Sequence, residues 1–189
     1  MTDLHHVDWT ALPPPQDDGA ADHLSGARLK IVSLPSTAGG PVDIAAPDGL
    51  SVVYAYPMTG QPGVPLPDGW DAIPGARGCT PQSCAFRDHA AELKALGIQN
   101  IFGLSAQSSA DQAEAARRLH LPFALLSDEG LSFAKAMEAP TFEVEGRTLL
   151  KRLTLIIEDG VIVAVFYPVF PPDGAPAQVI HWLQERPKP

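Results

Sequence analysis

Cys79 and Cys84 are the only cysteines of the chain, and they stand five residues apart in Gly75-Ala76-Arg77-Gly78-Cys79-Thr80-Pro81-Gln82-Ser83-Cys84-Ala85-Phe86-Arg87-Asp88. The segment predicts a helix with Cys79 in its first turn. A thiol placed there faces backbone N–H groups that have no acceptor inside the helix, together with the positive end of the helix dipole. Arg77 and Arg87 add cationic charge close by in the sequence, and all of these effects favour the nucleophilic thiolate. Cys79 is therefore the candidate nucleophile. In an intact helix, residues five apart lie on different faces with Cα atoms about 8–9 Å apart, whereas a disulfide needs less than about 7 Å. If Cys79 and Cys84 join, the first turn has to unwind. A permanent structural bridge fits this spacing poorly.

The same residue types have other uses. The bland reading of either thiol is a small buried side chain of the core. A zinc site would use Cys pairs two to four residues apart, while Cys79, Cys84 and His89 are spaced by five and ten and do not share a helix face. His5, His6, His23, His120 and His181 show no ligand spacing, so no metal and no cofactor is expected. A disulfide oxidoreductase of the thioredoxin type would carry Cys-x-x-Cys. The net charge of −9 argues against nucleic acid or an anionic membrane as partner, because phosphate binding needs clustered Lys and Arg. No apolar run is long enough to span a bilayer, and Met1-Thr2-Asp3-Leu4-His5-His6 lacks a basic and an apolar leader region. With two closely spaced cysteines, the expected compartment is the reducing cytoplasm.

The wording around Cys79 resembles the peroxiredoxins, and among them the peroxiredoxin Q or bacterioferritin comigratory protein group. Their signature runs through Tyr-Pro and Gly-Cys-Thr to a second Cys and Phe-Arg-Asp; here these are Tyr56-Pro57, Gly78-Cys79-Thr80, Cys84 and Phe86-Arg87-Asp88. Downstream, Lys151-Arg152-Leu153-Thr154-Leu155-Ile156-Ile157-Glu158-Asp159-Gly160 is similar to the family's arginine-bearing strand and turn. The likeness extends from about Leu29 to Leu183. It implies a thiol-dependent peroxidase that reduces hydrogen peroxide and organic hydroperoxides. Cys79 would become a sulfenic acid, Cys84 would resolve it as a Cys79–Cys84 disulfide, and Arg152 would hold the peroxide beside the thiolate. A thioredoxin-like, glutaredoxin or glutathione reductant and a monomer or weak homodimer go with that family. The alternative is a thiol redox sensor or binding module on the same fold without peroxidase turnover. The family's Pro and Thr/Ser, seven and three residues before the nucleophile, are Ala72 and Ala76 here. What stands instead is Pro57-Met58-Thr59, followed by a Pro- and Gly-rich passage through Gly78 that looks like an insertion, and Thr59 is expected to supply the missing hydroxyl.

The elements that must position these groups are legible in outline. At 189 residues and 45% hydrophobic content, the chain fits one domain, 27–189, preceded by an extended arm, 1–26, with Pro13-Pro14-Pro15 and little periodicity. Leu29–Val32 and Val42–Ile44 read as a small β-hairpin. Leu50–Tyr56 is an apolar, β-branched run suited to the middle of a sheet. The passage Pro57–Gly78, with five prolines, is too long for an ordinary connection and is expected to be an ordered lid with Trp70 beside Cys79. A helix body over Cys84–Leu96, a strand at Ile98–Ser105 and a helix capped by Ser108 or Ser109 follow. Phe123–Ser127 reads as a strand and Gly130–Met137 as a short helix. Leu149–Ile157 and Val161–Phe166 make a hairpin through Asp159-Gly160, and Ala175–Gln184 is the last helix. This order predicts an α/β sandwich with a mixed central sheet, and the resemblance implies a thioredoxin-like fold.

Overall fold

A computed structural model describes residues 7–186. Met1 to His6, with His5 and His6 and the start of the expected arm, lie outside the described residues, as do 187–189. In chain order the elements are β1 (Ser33–Pro35), β2 (Pro41–Asp43), β3 (Leu50–Ala55), α1 (Cys79–Asp88), α2 (Ala90–Ala95), β4 (Ile98–Ser105) and α3 (Ser109–Arg118). Then come β5 (Ala124–Ser127), α4 (Ser132–Met137), β6 (Thr141–Val144), β7 (Arg147–Leu150), β8 (Leu153–Glu158), β9 (Val161–Phe166) and α5 (Ala175–Glu185).

Five strands form one mixed sheet in the order β5-β4-β3-β8-β9, with β3 parallel to β4 and antiparallel to β8. Alternation along β3 sends Val53 and Ala55 into a core with Leu34, Ile44, Phe133 and Leu155, on the face covered by α4. Val52 and Tyr54 point the other way, into a core with Phe86, Leu93, Ile156 and Val179 beneath α1, α2 and α5. Both faces of β3 are thus buried, which is why it reads as a continuous apolar run. The α/β sandwich with a mixed central sheet is as expected.

Four details differ from the sequence reading. The first hairpin pairs Ser33–Pro35 with Pro41–Asp43 rather than starting at Leu29, because the Leu29 N–H is taken by the Gly160 carbonyl at 2.8 Å. The helix expected over Cys84–Leu96 is two helices meeting at His89, whose Nδ1 donates to the Ala85 carbonyl at 2.9 Å. The Leu149–Ile157 strand is broken at Lys151-Arg152: β7 pairs with β6, while β8 joins the main sheet. That separate β6–β7 hairpin, turning at Glu145-Gly146 with φ of 47° and 72°, is absent from the sequence reading. In the arm, Ala21 and Leu24 are buried in the core, so its last residues are held by packing.

The register places the site. Ala55, at the end of β3, pairs with Leu153, the first residue of β8. Arg152 therefore emerges at the same edge of the sheet as Tyr56-Pro57 and the loop that leads into α1. Ligand sites of open α/β sheets form at such strand ends.

Candidate active site

Gly78 precedes α1 with φ of 105°, a left-handed conformation that costs glycine little. The helix then begins Cys79-Thr80-Pro81, and Pro81 gives up an N–H that the first turn could not have paired in any case. Cys79 is 3% exposed. Its Sγ lies 3.2 Å from Arg152 Nη2 and 3.6 Å from the Ala76 carbonyl oxygen. Beside it is a narrow cleft of ≈ 10 Å³ bordered by Met58, Leu66, Trp70, Arg77 and Thr80, with room for about one water.

Arg152 is itself 3% exposed. Nη1 donates to Gln82 Oε1, and Nη2 lies 3.2, 3.1 and 3.2 Å from the carbonyls of Gly75, Ala76 and Arg77. The turn before Cys79 thus wraps its oxygens around the guanidinium. Burying a cation is costly without a compensating anion, and the Cys79 sulfur is the group beside Arg152 that can become one. Although it stands next to a strand, Arg152 is not an exposed edge residue. Its departure from the line of β7 and β8 is what turns the guanidinium inward.

Cys84 lies in the same helix and is half-buried; both thiols are free. Burial pushes its thiol above the ordinary range, an effect countered by Arg87 and reinforced by Asp88. Arg87 pairs with Asp88 at 2.8 Å and donates to the Leu119 carbonyl at 2.9 Å, so it serves the Cys84 end of the helix. Arg77 pairs with Asp71 of the inserted loop at 2.9 Å. Phe86 is fully buried and stacks on Tyr54 with centroids 4.3 Å apart, and the Tyr54 hydroxyl donates to Ser83 at 3.2 Å. The middle of α1 is therefore anchored to the sheet.

The inserted passage has a small core of its own. Trp70, in a 3-10 turn spanning Trp70–Ala72, is 3% exposed and packs with Ala76, Val144 and Leu149. Trp70 borders the Cys79 cleft, and the β6–β7 hairpin packs against it. This packing accounts for Ala76: a hydroxyl there would enter an apolar cluster at a desolvation cost. Ala72 is exposed and outside the site.

Thr59 is placed differently from the expectation. Its N–H and hydroxyl both donate to Gln107 Oε1, at 2.7 and 3.1 Å, and Gln107 Nε2 returns a bond to the Thr59 carbonyl at 3.2 Å. The hydroxyl proton is spent tying the loop to the end of β4 rather than facing the thiol. Accordingly, Thr59→Val should leave the second-order rate with peroxide within about twofold while lowering stability by about 1 kcal/mol. Stopped-flow kinetics beside a denaturant titration check this. A large rate loss at unchanged stability would return Thr59 to the chemistry. Gln82 and the Gln107 brace went unread in the sequence, where a lone amide carries no signal of its partner.

The sequence matches the Redoxin family over residues 22–179. It is 32% identical to a chloroplastic peroxiredoxin Q of Sedum lineare over 161 residues, 84% of this chain and 77% of that one. A chloroplastic peroxiredoxin Q of Oryza sativa subsp. japonica is 31% identical over 156 residues, of whose length the match spans 59%. Among solved structures, the peroxidoxin BcpB of Mycobacterium tuberculosis superposes with a TM-score of 0.70 at 24% identity, over 87% of this chain and 98% of that one. A peroxiredoxin Q of Xanthomonas campestris gives 0.65 at 20% identity, over 85% and 98%. With a buried thiol at a helix start and an arginine against its sulfur, on a sheet and in a sequence shared with these proteins, the chain belongs to the Redoxin family as a peroxiredoxin, a thiol-dependent peroxidase, of the peroxiredoxin Q group.

Proposed function

We propose that Cys79 is the peroxidatic thiol, Arg152 the residue that steadies the reacting oxygens, and Cys84 the resolving thiol. The observation that carries this is the 3.2 Å contact between Cys79 Sγ and the buried Arg152 Nη2. The thiolate attacks one oxygen of the hydroperoxide, the O–O bond breaks, and the other oxygen leaves with a proton as water or an alcohol. Arg152 and the first-turn N–H groups of Cys79 and Thr80 face the charge that builds during this step. A sulfenic acid remains on Cys79.

Cys84 then attacks the sulfenic sulfur, forming the Cys79–Cys84 disulfide and releasing water. Burial pushes the Cys84 thiol up in the folded helix, and unwinding the first turn closes the gap between the sulfurs. An external dithiol of the thioredoxin class, or glutaredoxin or glutathione, resets the pair by thiol–disulfide exchange. Organic hydroperoxides are included in the proposed substrates. A cavity of ≈ 260 Å³ borders Arg152 and is walled by Pro57, Ile73, Phe142 and Tyr167, apolar surface suited to an alkyl substituent.

The primary test is the rate of Cys79 oxidation by hydrogen peroxide in stopped flow. A peroxidase reacts orders of magnitude faster than a free thiol, and a rate equal to that of free cysteine would refute the assignment. Disulfide formation should also melt the helix start: amide exchange over Cys79 to Cys84 should rise in the oxidised protein. Equal protection in both redox forms would rule out Cys84 as an intramolecular resolver.

A further inference from the structure

Gly78, immediately before Cys79, is clasped between two rings from distant parts of the chain. A Cβ added to it would fall 2.7 Å from Trp9 Cη2 and 2.8 Å from Pro172 Cγ, well inside carbon–carbon contact. Pro172 belongs to a 3-10 turn, Pro172–Gly174, continuous with α5, and is built into the domain. Trp9 comes from the N-terminal arm. Its Nε1 donates to Asp173 Oδ2 at 3.1 Å, and its ring meets Phe170 edge to face with centroids 6.2 Å apart. Further along the arm, a Cβ on Gly75 would lie 3.4 Å from the Pro15 ring. Asp18 then ties the arm down, pairing with Lys151 at 2.6 Å and accepting from the Tyr167 hydroxyl at 2.7 Å. The arm thus crosses the turn Gly75–Gly78, touching both of its glycines.

We propose that residues 9–18 are a strap whose Trp9 is a positioning residue for the Cys79 turn, setting how fast the Cys79 sulfenic acid is captured by Cys84. This rests on the reading of Cys84 as the resolving thiol. Capture requires the first turn of α1 to unwind, since Cα atoms five residues apart in a helix are about 8–9 Å from each other. The Cys84 side cannot supply the movement, because Phe86 and Ser83 are anchored on Tyr54. The Cys79 side must move, and its hinge is Gly78, already in contact with both rings. Pro172 is fixed within the fold, so the ring that gives way is Trp9, held by one exposed hydrogen bond and one edge contact.

The sulfenic acid has two fates. With the Cys84 thiol it gives the disulfide and water; with a second hydroperoxide it gives sulfinic acid and water or alcohol. A strap that delays unwinding lengthens the life of the sulfenic acid and raises the share lost to over-oxidation. The competition between these steps is a readout that a merely structural tryptophan would not move in a set direction.

The experiment uses the full chain, hydrogen peroxide, acid quench, thiol alkylation and mass spectrometry to time closure and to find the dose that converts half of Cys79 to sulfinic acid. Trp9→Ala should close about tenfold faster, the loss of one edge contact and one hydrogen bond, and should need a correspondingly higher dose for over-oxidation. Trp9→Phe keeps a ring over Gly78 and Asp173→Ala keeps the indole; both should fall between Trp9→Ala and the parent. These milder variants carry the test if Trp9→Ala misfolds. Closure at the parent rate or slower in the variants, with the Cys79–Cys84 disulfide still forming, overturns the strap and leaves Cys84 as resolver. Absence of that disulfide in the parent protein overturns the resolver assignment, and the strap with it.

Discussion

Cys79→Ser is expected to abolish peroxidase turnover, by at least ~10³-fold, because a serine hydroxyl stays protonated where the chemistry needs an anionic nucleophile. Cys84 cannot take over. It is half-buried, its thiol is held up by burial, and its nearby arginine is Arg87, itself paired with Asp88. Cys84→Ser should behave differently, retaining one stoichiometric oxidation of Cys79 and then stalling at the sulfenic acid unless an external thiol resolves it. Mass spectrometry after one equivalent of peroxide reads the outcome. A sulfenic adduct on Cys84 rather than Cys79 would reverse the two roles.

Arg152→Met should slow peroxide attack by on the order of 10²–10³-fold, the usual cost of removing one donor aimed at developing charge. The methionine retains bulk but brings no donor to the sulfur that Nη2 now approaches at 3.2 Å. It also leaves the carbonyls of Gly75, Ala76 and Arg77 without their shared partner. Arg152→Lys tests the geometry. An ammonium restores charge but cannot reach Gln82, the turn carbonyls and the thiol with one planar fork, so its rate should fall between methionine and arginine. Stopped-flow rates at saturating reductant decide it. A parental rate in the methionine variant would make Arg152 a structural residue of the turn.

Much of the site was legible because local chemistry wrote it. The Cys79–Cys84 spacing, the helix start after Gly78, the Asp159-Gly160 turn and the buried run of β3 depend on residues near one another in the chain. Short-range signals of this kind survive in a single sequence. The likeness to peroxiredoxin Q added Arg152, whose strand carries no local mark of a catalytic duty. Less legible were the ends of elements. The apolar run Leu149–Ile157 has strand propensity throughout, yet Leu149 and Leu150 pair with β6 whereas Leu153–Ile157 pair with β3, and the chain breaks at Lys151-Arg152 between the two.

By itself the sequence determined which atoms could react: a thiol at a helix start, a second thiol too distant to bond without unwinding, and an α/β order of elements. What surrounds those atoms was decided by tertiary structure. Antiparallel pairing of β8 with β3 carries Arg152 to Cys79 across 73 positions. Packing of the insertion against the β6–β7 hairpin makes position 76 apolar, and Gln107 draws Thr59 away from the thiol. Trp9 reaches Gly78 only because the arm folds back beside the turn before α5. Each is a contact between segments remote in the chain, and partners of that kind are selected by burial and by the competition for hydrogen bonds once the sheet has formed, which no local pattern of residue types encodes.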